Sequence, residues 1–68
     1  MRLNQMRRFR YQEPDRYGNC VTITVSEKWI ESAFFPKWRE FSMQTYNQIP
    51  TLEECIDDFT AINWAWEV

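Results

Sequence analysis

Apolar and polar positions alternate along residues 6–12, MRRFRYQ, placing Arg7, Phe9 and Tyr11 on one face and Arg8, Arg10 and Gln12 on the other. A period of two is that of an extended strand, whose successive side chains point to opposite sides. The next stretch, EPDRYGN, contains Pro14, Asp15, Gly18 and Asn19, which supply turn conformations. Gly18 is the only glycine, and a positive φ is expected there because no Cβ opposes it. Alternation resumes over residues 20–25, CVTITV, with Val21, Ile23 and Val25 opposed to Cys20, Thr22 and Thr24. The β-branched content supports a second strand. The pair is predicted to form an antiparallel hairpin whose loop is longer than the common tight turn.

From residue 26 the period changes. Ser26 is placed to cap a helix and Glu27 to complement its dipole in the first turn. Ile30, Phe34, Trp38 and Phe41 then recur at helical spacing, and the stripe ends at the polar Thr45. Pro36 interrupts it, since an interior proline removes a backbone hydrogen bond and crowds the preceding turn. Two geometries satisfy this: a helix that ends near Phe34 and restarts with Pro36 in its first turn, or one kinked helix. The unbroken phase of the stripe favours the kinked helix. After the connector NQIP, Thr51 and Glu54 match a capping box, opening a short helix over 52–59 with Leu52, Cys55, Ile56 and Phe59 inward. Residues 61–68, AINWAWEV, alternate again, with Ile62, Trp64, Trp66 and Val68 on one face. They predict a final half-buried strand carrying two core tryptophans, so that removing residues 64–68 would unfold the protein.

The order β-β-α-α-β defines an α+β fold, a three-stranded antiparallel sheet with two helices packed on one face, in one domain over 1–68. The helix-covered face is expected to carry Val21, Ile23, Val25, Ile62, Trp64 and Trp66. The open face would carry Arg8, Arg10, Thr22, Thr24, Asn63, Ala65 and Glu67. Placing the last strand beside the first gives Glu67 an arginine neighbour and a spatial order 2-1-3.

Length changes the picture. A chain of 68 residues buries a small share of its surface and needs a staple or a dense core. Five phenylalanines, four tryptophans and three tyrosines point to density. Without histidine, and with Cys20 and Cys55 lacking ligand-spaced partners, no metal staple is expected. A disulfide between them stays open, beside the plainer reading of two reduced thiols. The basic start contains no apolar core of a signal peptide, and no run approaches the roughly 18 apolar residues of a membrane span. A cytoplasmic protein with no membrane association is expected.

The net charge of −2 conceals segregation: Arg2, Arg7, Arg8, Arg10 and Arg16 lie near the start, Glu53, Glu54, Asp57, Asp58 and Glu67 near the end. Such asymmetry marks either an interaction surface or two neighbouring elements that neutralise each other. Catalysis finds little support. There is no imidazole base, no activated cysteine, no nucleophile elbow, and one glycine cannot build a phosphate loop. No enzymatic activity, cofactor or metal is expected. Binding has better candidates. Glu53, Glu54, Asp57 and Asp58 form an acidic helix face able to meet a basic partner surface, and Arg8 and Arg10 form a second surface on the sheet. The arginines with Phe9 and Tyr11 also fit a nucleic-acid module, although those aromatics face the core and the chain is acidic overall. Trp29, Phe35, Tyr46, Tyr17 and Met43 lie off the helix stripe or in a loop, for a homodimer contact or a thicker core.

The segments RRFRYQEPDRYG, VTITVSE and CIDDFTAINWAWEV together resemble a group of very small proteins from bacteriophages, prophages and other mobile elements, most specifically in YQEPD with Gly18 and in NWAWE. The resemblance covers most of the chain and transfers no catalytic residue. Pro36 departs from the group's pattern. The resemblance implies an inhibitor that docks stoichiometrically on a host defence or nucleic-acid-processing complex in the host cytoplasm, in the manner of anti-CRISPR or anti-restriction proteins. The alternative is a small nucleic-acid or nucleotide-binding module using the sheet arginines and aromatics.

Overall fold

The computed structural model describes residues 7–68. Arg2, and Met6 at the start of the expected first strand, lie outside the described residues. Strand β1 (Arg8–Pro14) and strand β2 (Cys20–Ser26) form the expected hairpin. Its loop is closed by Asp15, whose Oδ1 accepts from the backbone N–H of Tyr17 at 2.8 Å and of Asn19 at 2.9 Å. Gly18 takes φ 82°. Phe9 pairs with Val25 and Tyr11 with Ile23, so these apolar side chains share the face turned to the helices.

The helix is continuous over 27–46 and is designated α1. It has an α-helical turn at Glu27–Trp29, a π-helical turn at Ile30–Phe34 and an α-helical run at Phe35–Tyr46. Ser26 caps it, its Oγ accepting from the Trp29 N–H at 3.0 Å. The helix neither breaks nor restarts at Pro36. Instead the Phe35 N–H reaches back to the Ile30 carbonyl, widening the turn just ahead of the proline ring, which has no N–H to offer. The extra residue rotates the following stripe. Phe41, expected inside, is 44% exposed, and Ser42 is buried in its place.

Helix α2 (Leu52–Asn63) opens with the expected capping box: the Glu54 N–H donates to Thr51 Oγ1 at 3.2 Å and the Thr51 N–H to Glu54 Oε1 at 2.9 Å. Cys55, Ile56 and Phe59 are buried with Phe9, Val25 and Ile30, forming the core. Phe59 is its hub, meeting Phe34 at 5.1 Å, Tyr11 at 5.6 Å and Trp29 at 6.1 Å between centroids, all edge to face.

The C-terminal stretch departs from expectation. The helix runs on through Ala61 and Ile62 to Asn63, whose Nδ2 donates to the Phe59 carbonyl at 3.0 Å. It stops when Trp64 turns left-handed at φ 54°. Strand β3 (Trp66–Glu67) is only 2 residues long. It lies beside β1, giving the expected order β2-β1-β3. Its register pairs Arg10 with Trp66 and Phe9 with Glu67. The faces are therefore inverted: Trp66 lies on the open side with Arg10, while Ala65 packs toward the core. Ile62, Trp64, Trp66 and Val68 are exposed and form no core. The expectation that loss of residues 64–68 would unfold the chain loses its basis.

Candidate functional site

Arg7, one residue before β1, points to the same side as Phe9 and takes up the segregated charge internally. Its Nε and Nη2 donate to the two carboxylate oxygens of Glu67 at 3.2 Å each. Its Nη1 lies 3.4 Å from Glu27 and 3.6 Å from Glu53. The guanidinium also sits 5.1 Å from the centroid of the Phe9 ring. The hydrogen bonds that Arg7 donates to Glu67 raise its pKa; desolvation works against them, and the three carboxylates together hold the charge in place. One side chain thus ties β1 to the starts of both helices and to β3.

The acidic residues of α2 divide by task. Glu53 faces Arg7, and Glu54 closes the capping box. Asp58 Oδ2 accepts from the Trp38 indole N–H at 2.9 Å, locking α2 to α1. Asp57 is exposed, and its carboxylate has no hydrogen-bond partner among the described residues. The four therefore do not form one uncommitted acidic face.

The open side of the sheet is less committed. Arg8 and Arg10 project there, with Arg10 Nε donating to Thr24 Oγ1 at 3.3 Å. Trp66, 47% exposed, is the cross-strand neighbour of Arg10. The Val68 N–H donates to the Arg8 carbonyl at 2.9 Å, extending the edge beyond β3. Trp64, two residues before the start of β3, is 88% exposed. The alternation of the last residues carried the signal for this surface, but with the faces reversed. Of the other surplus residues, Phe35 packs on the core, while Trp29, Tyr17, Tyr46 and Met43 are exposed.

Both thiols are free, Cys20 exposed and Cys55 buried. Burial, and then the nearby Asp58 charge, pushes the Cys55 thiol up to about 11 from an ordinary 9.0. A thiol reagent at pH 8 is expected to modify Cys20 in the native protein and Cys55 only on unfolding. Because the folded pKa is raised, the stabilisation is fully present below pH 9.0 and is lost as pH rises toward 11, by about 3 kcal/mol. Thermal melts of the native chain and of Cys55→Ala between pH 8 and 11 check this; parallel slopes would refute it.

Among the described residues no group of His, Cys, Asp and Glu could hold a metal ion, and no helix is long and apolar enough to cross a membrane. Comparison with protein families, with curated proteins and with solved structures found no match.

Proposed function

We propose that this chain is a small docking protein without catalysis, of the kind mobile elements use to inhibit a host defence or nucleic-acid-processing complex in the host cytoplasm by stoichiometric binding. Trp64 carries the reading. A left-handed backbone at a helix C-terminus suits glycine and costs a bulky residue about 1–2 kcal/mol. This position instead holds a tryptophan whose ring is almost wholly exposed. Local strain without a packing return is the mark of a functional position. Trp64 and Trp66 supply aromatic anchors, and Arg8 and Arg10 set charge complementarity toward an acidic rim on the partner.

The neighbouring pair Arg10 and Trp66 also supports the second reading, a nucleic-acid module with a phosphate contact beside a stacking ring.

Tagged protein drawn through a lysate containing defence complexes separates the two. The docking reading expects one protein complex at fixed stoichiometry, resistant to nuclease. Trp64→Gly should weaken recovery about thirtyfold or more while leaving the melting temperature equal or higher. Undiminished recovery by both Trp64→Gly and Trp66→Ala would remove this face from docking. Nuclease-sensitive recovery would transfer it to nucleic acid.

A further inference from the structure

Strand β2 is an edge of the sheet: in the order β2-β1-β3 its outer side meets no other strand among the described residues. We propose that this edge pairs, antiparallel and about a two-fold axis at Ile23, with the same edge of a second copy of this chain. The proposal does not depend on the docking face of Trp64 and Trp66, which lies by β3 at the other edge.

The hydrogen-bond phase of the hairpin decides which groups are free. The Glu27 N–H donates to the Arg7 carbonyl at 2.9 Å and the Asp15 N–H to the Asn19 carbonyl at 2.7 Å. Odd-numbered residues of the two strands therefore bond to each other across the hairpin. The N–H and C=O groups of Cys20, Thr22 and Thr24 point outward and meet no backbone partner among the described residues. Such a row invites another strand, and edges are commonly blunted by charge, proline or a bulge. The opposite edge is blunted: β3 has 2 residues, and Glu67 is held by Arg7. Strand β2 is not. It runs 7 residues, CVTITVS, in unbroken register with β1, without a charge, a proline or a bulge.

Its side chains fit a second copy. Residues 21–25, VTITV, read the same in both directions. About Ile23, Val21 meets Val25, Thr22 meets Thr24 and Ile23 meets itself, with β-branched beside β-branched and hydroxyl beside hydroxyl. The same register sets the outward-bonding Thr22 and Thr24 opposite each other, as a hydrogen-bonded pair requires. It also keeps Val21, Ile23 and Val25 of both copies on the helix side. Val21 is 38% exposed in the single chain and gains Val25 as a neighbour. Charge agrees, because β2 has no charge to meet its own image. Antiparallel pairing also brings the hairpin loop of each copy to the start of α1 in the other. Lys28, without an ion-pair partner among the described residues, is set toward Asp15, whose Oδ2 accepts no hydrogen bond among them. The product is one six-stranded antiparallel sheet with an isologous two-fold interface.

Sedimentation of the full chain from about 1 μM to 1 mM is expected to show the mass rise from one chain to two. Over that range hydrogen exchange at the Thr22 and Thr24 amides should slow about tenfold or more, since pairing gives these N–H groups acceptors. Thr22→Lys places an ammonium across the two-fold from Thr24, where Arg10 Nε already donates at 3.3 Å, and is expected to weaken association about tenfold or more. Thr22→Pro removes an N–H that the single chain leaves unused, so it should give the same loss with the hairpin ladder kept. A mass fixed at one chain throughout, or a dimer that both variants leave intact, would overturn the proposal. So would Thr22 and Thr24 amides protected only when a foreign protein is added, which would give the edge to another chain's strand.

Discussion

Phe59→Ala is expected to abolish the cooperative fold at 25 °C. The ring is 3% exposed and sits where α2, α1 and β1 meet, in edge-to-face contact with Tyr11, Trp29 and Phe34. Removing a buried phenylalanine costs about 3–5 kcal/mol, because the lost transfer energy adds to the cavity left behind. A core in a domain this small rarely supplies more than about 3–5 kcal/mol in total. The two quantities are equal in size, so the variant is left with no margin. Circular dichroism melts would show a broad, low-amplitude transition. Phe59→Leu, which keeps most of the volume, is expected to lose about 1–2 kcal/mol and stay folded. A sharp melt of Phe59→Ala near that of the native chain would show that the hub is elsewhere.

Arg7→Ala is expected to lower stability by about 3 kcal/mol, close to the limit the fold can absorb. Its partner Glu27 is buried, and a buried carboxylate deprived of its cation typically costs about 3–5 kcal/mol. The lower end applies because the guanidinium itself keeps some contact with water. Glu53 and Glu67 would also be left facing Glu27 without a positive charge between them. Adding Glu27→Gln to Arg7→Ala is expected to restore part of the loss, since the uncompensated charge goes with it. A double-mutant cycle by urea unfolding measures this coupling. Strict additivity of the two changes would show that Arg7 acts through its packing on Phe9 and not through the charge cluster.

These two residues differ in how visible they were before folding. Phe59 follows from spacing: Leu52, Cys55, Ile56 and Phe59 mark one helical stripe, and all four pack inward. Arg7 was placed correctly on the face of Phe9 by alternation, but its three carboxylate partners come from segments far along the chain. Glu54 was legible as a capping residue because its partner, Thr51, lies within one turn. Asp58 was not, because Trp38 reaches it from another helix.

The C-terminal stretch shows the same division. Period-two alternation in AINWAWEV competes with the helical phase already running from Leu52, and the helix prevails through Asn63 because each added residue extends an existing ladder. What remains is too short to impose its own register, so β1 sets it, and a shift of one residue turns Trp66 outward and Ala65 inward. Similarly, the proline at position 36 announced a disturbance of α1, but local rules allowed both a break and a kink. The π-turn and the exchange of Phe41 for Ser42 follow from how the helix must settle on the core.

By itself, then, the sequence determined the hairpin, its positive-φ glycine, both helix caps, the apolar stripe of α2 and the α+β class, because each depends on residues within a few positions of one another. Tertiary structure alone decided which side of the sheet the last tryptophans occupy and which carboxylates are committed to internal bonds. Those outcomes depend on side chains brought together across long chain separations, where register and contact are set by packing and not by local preference.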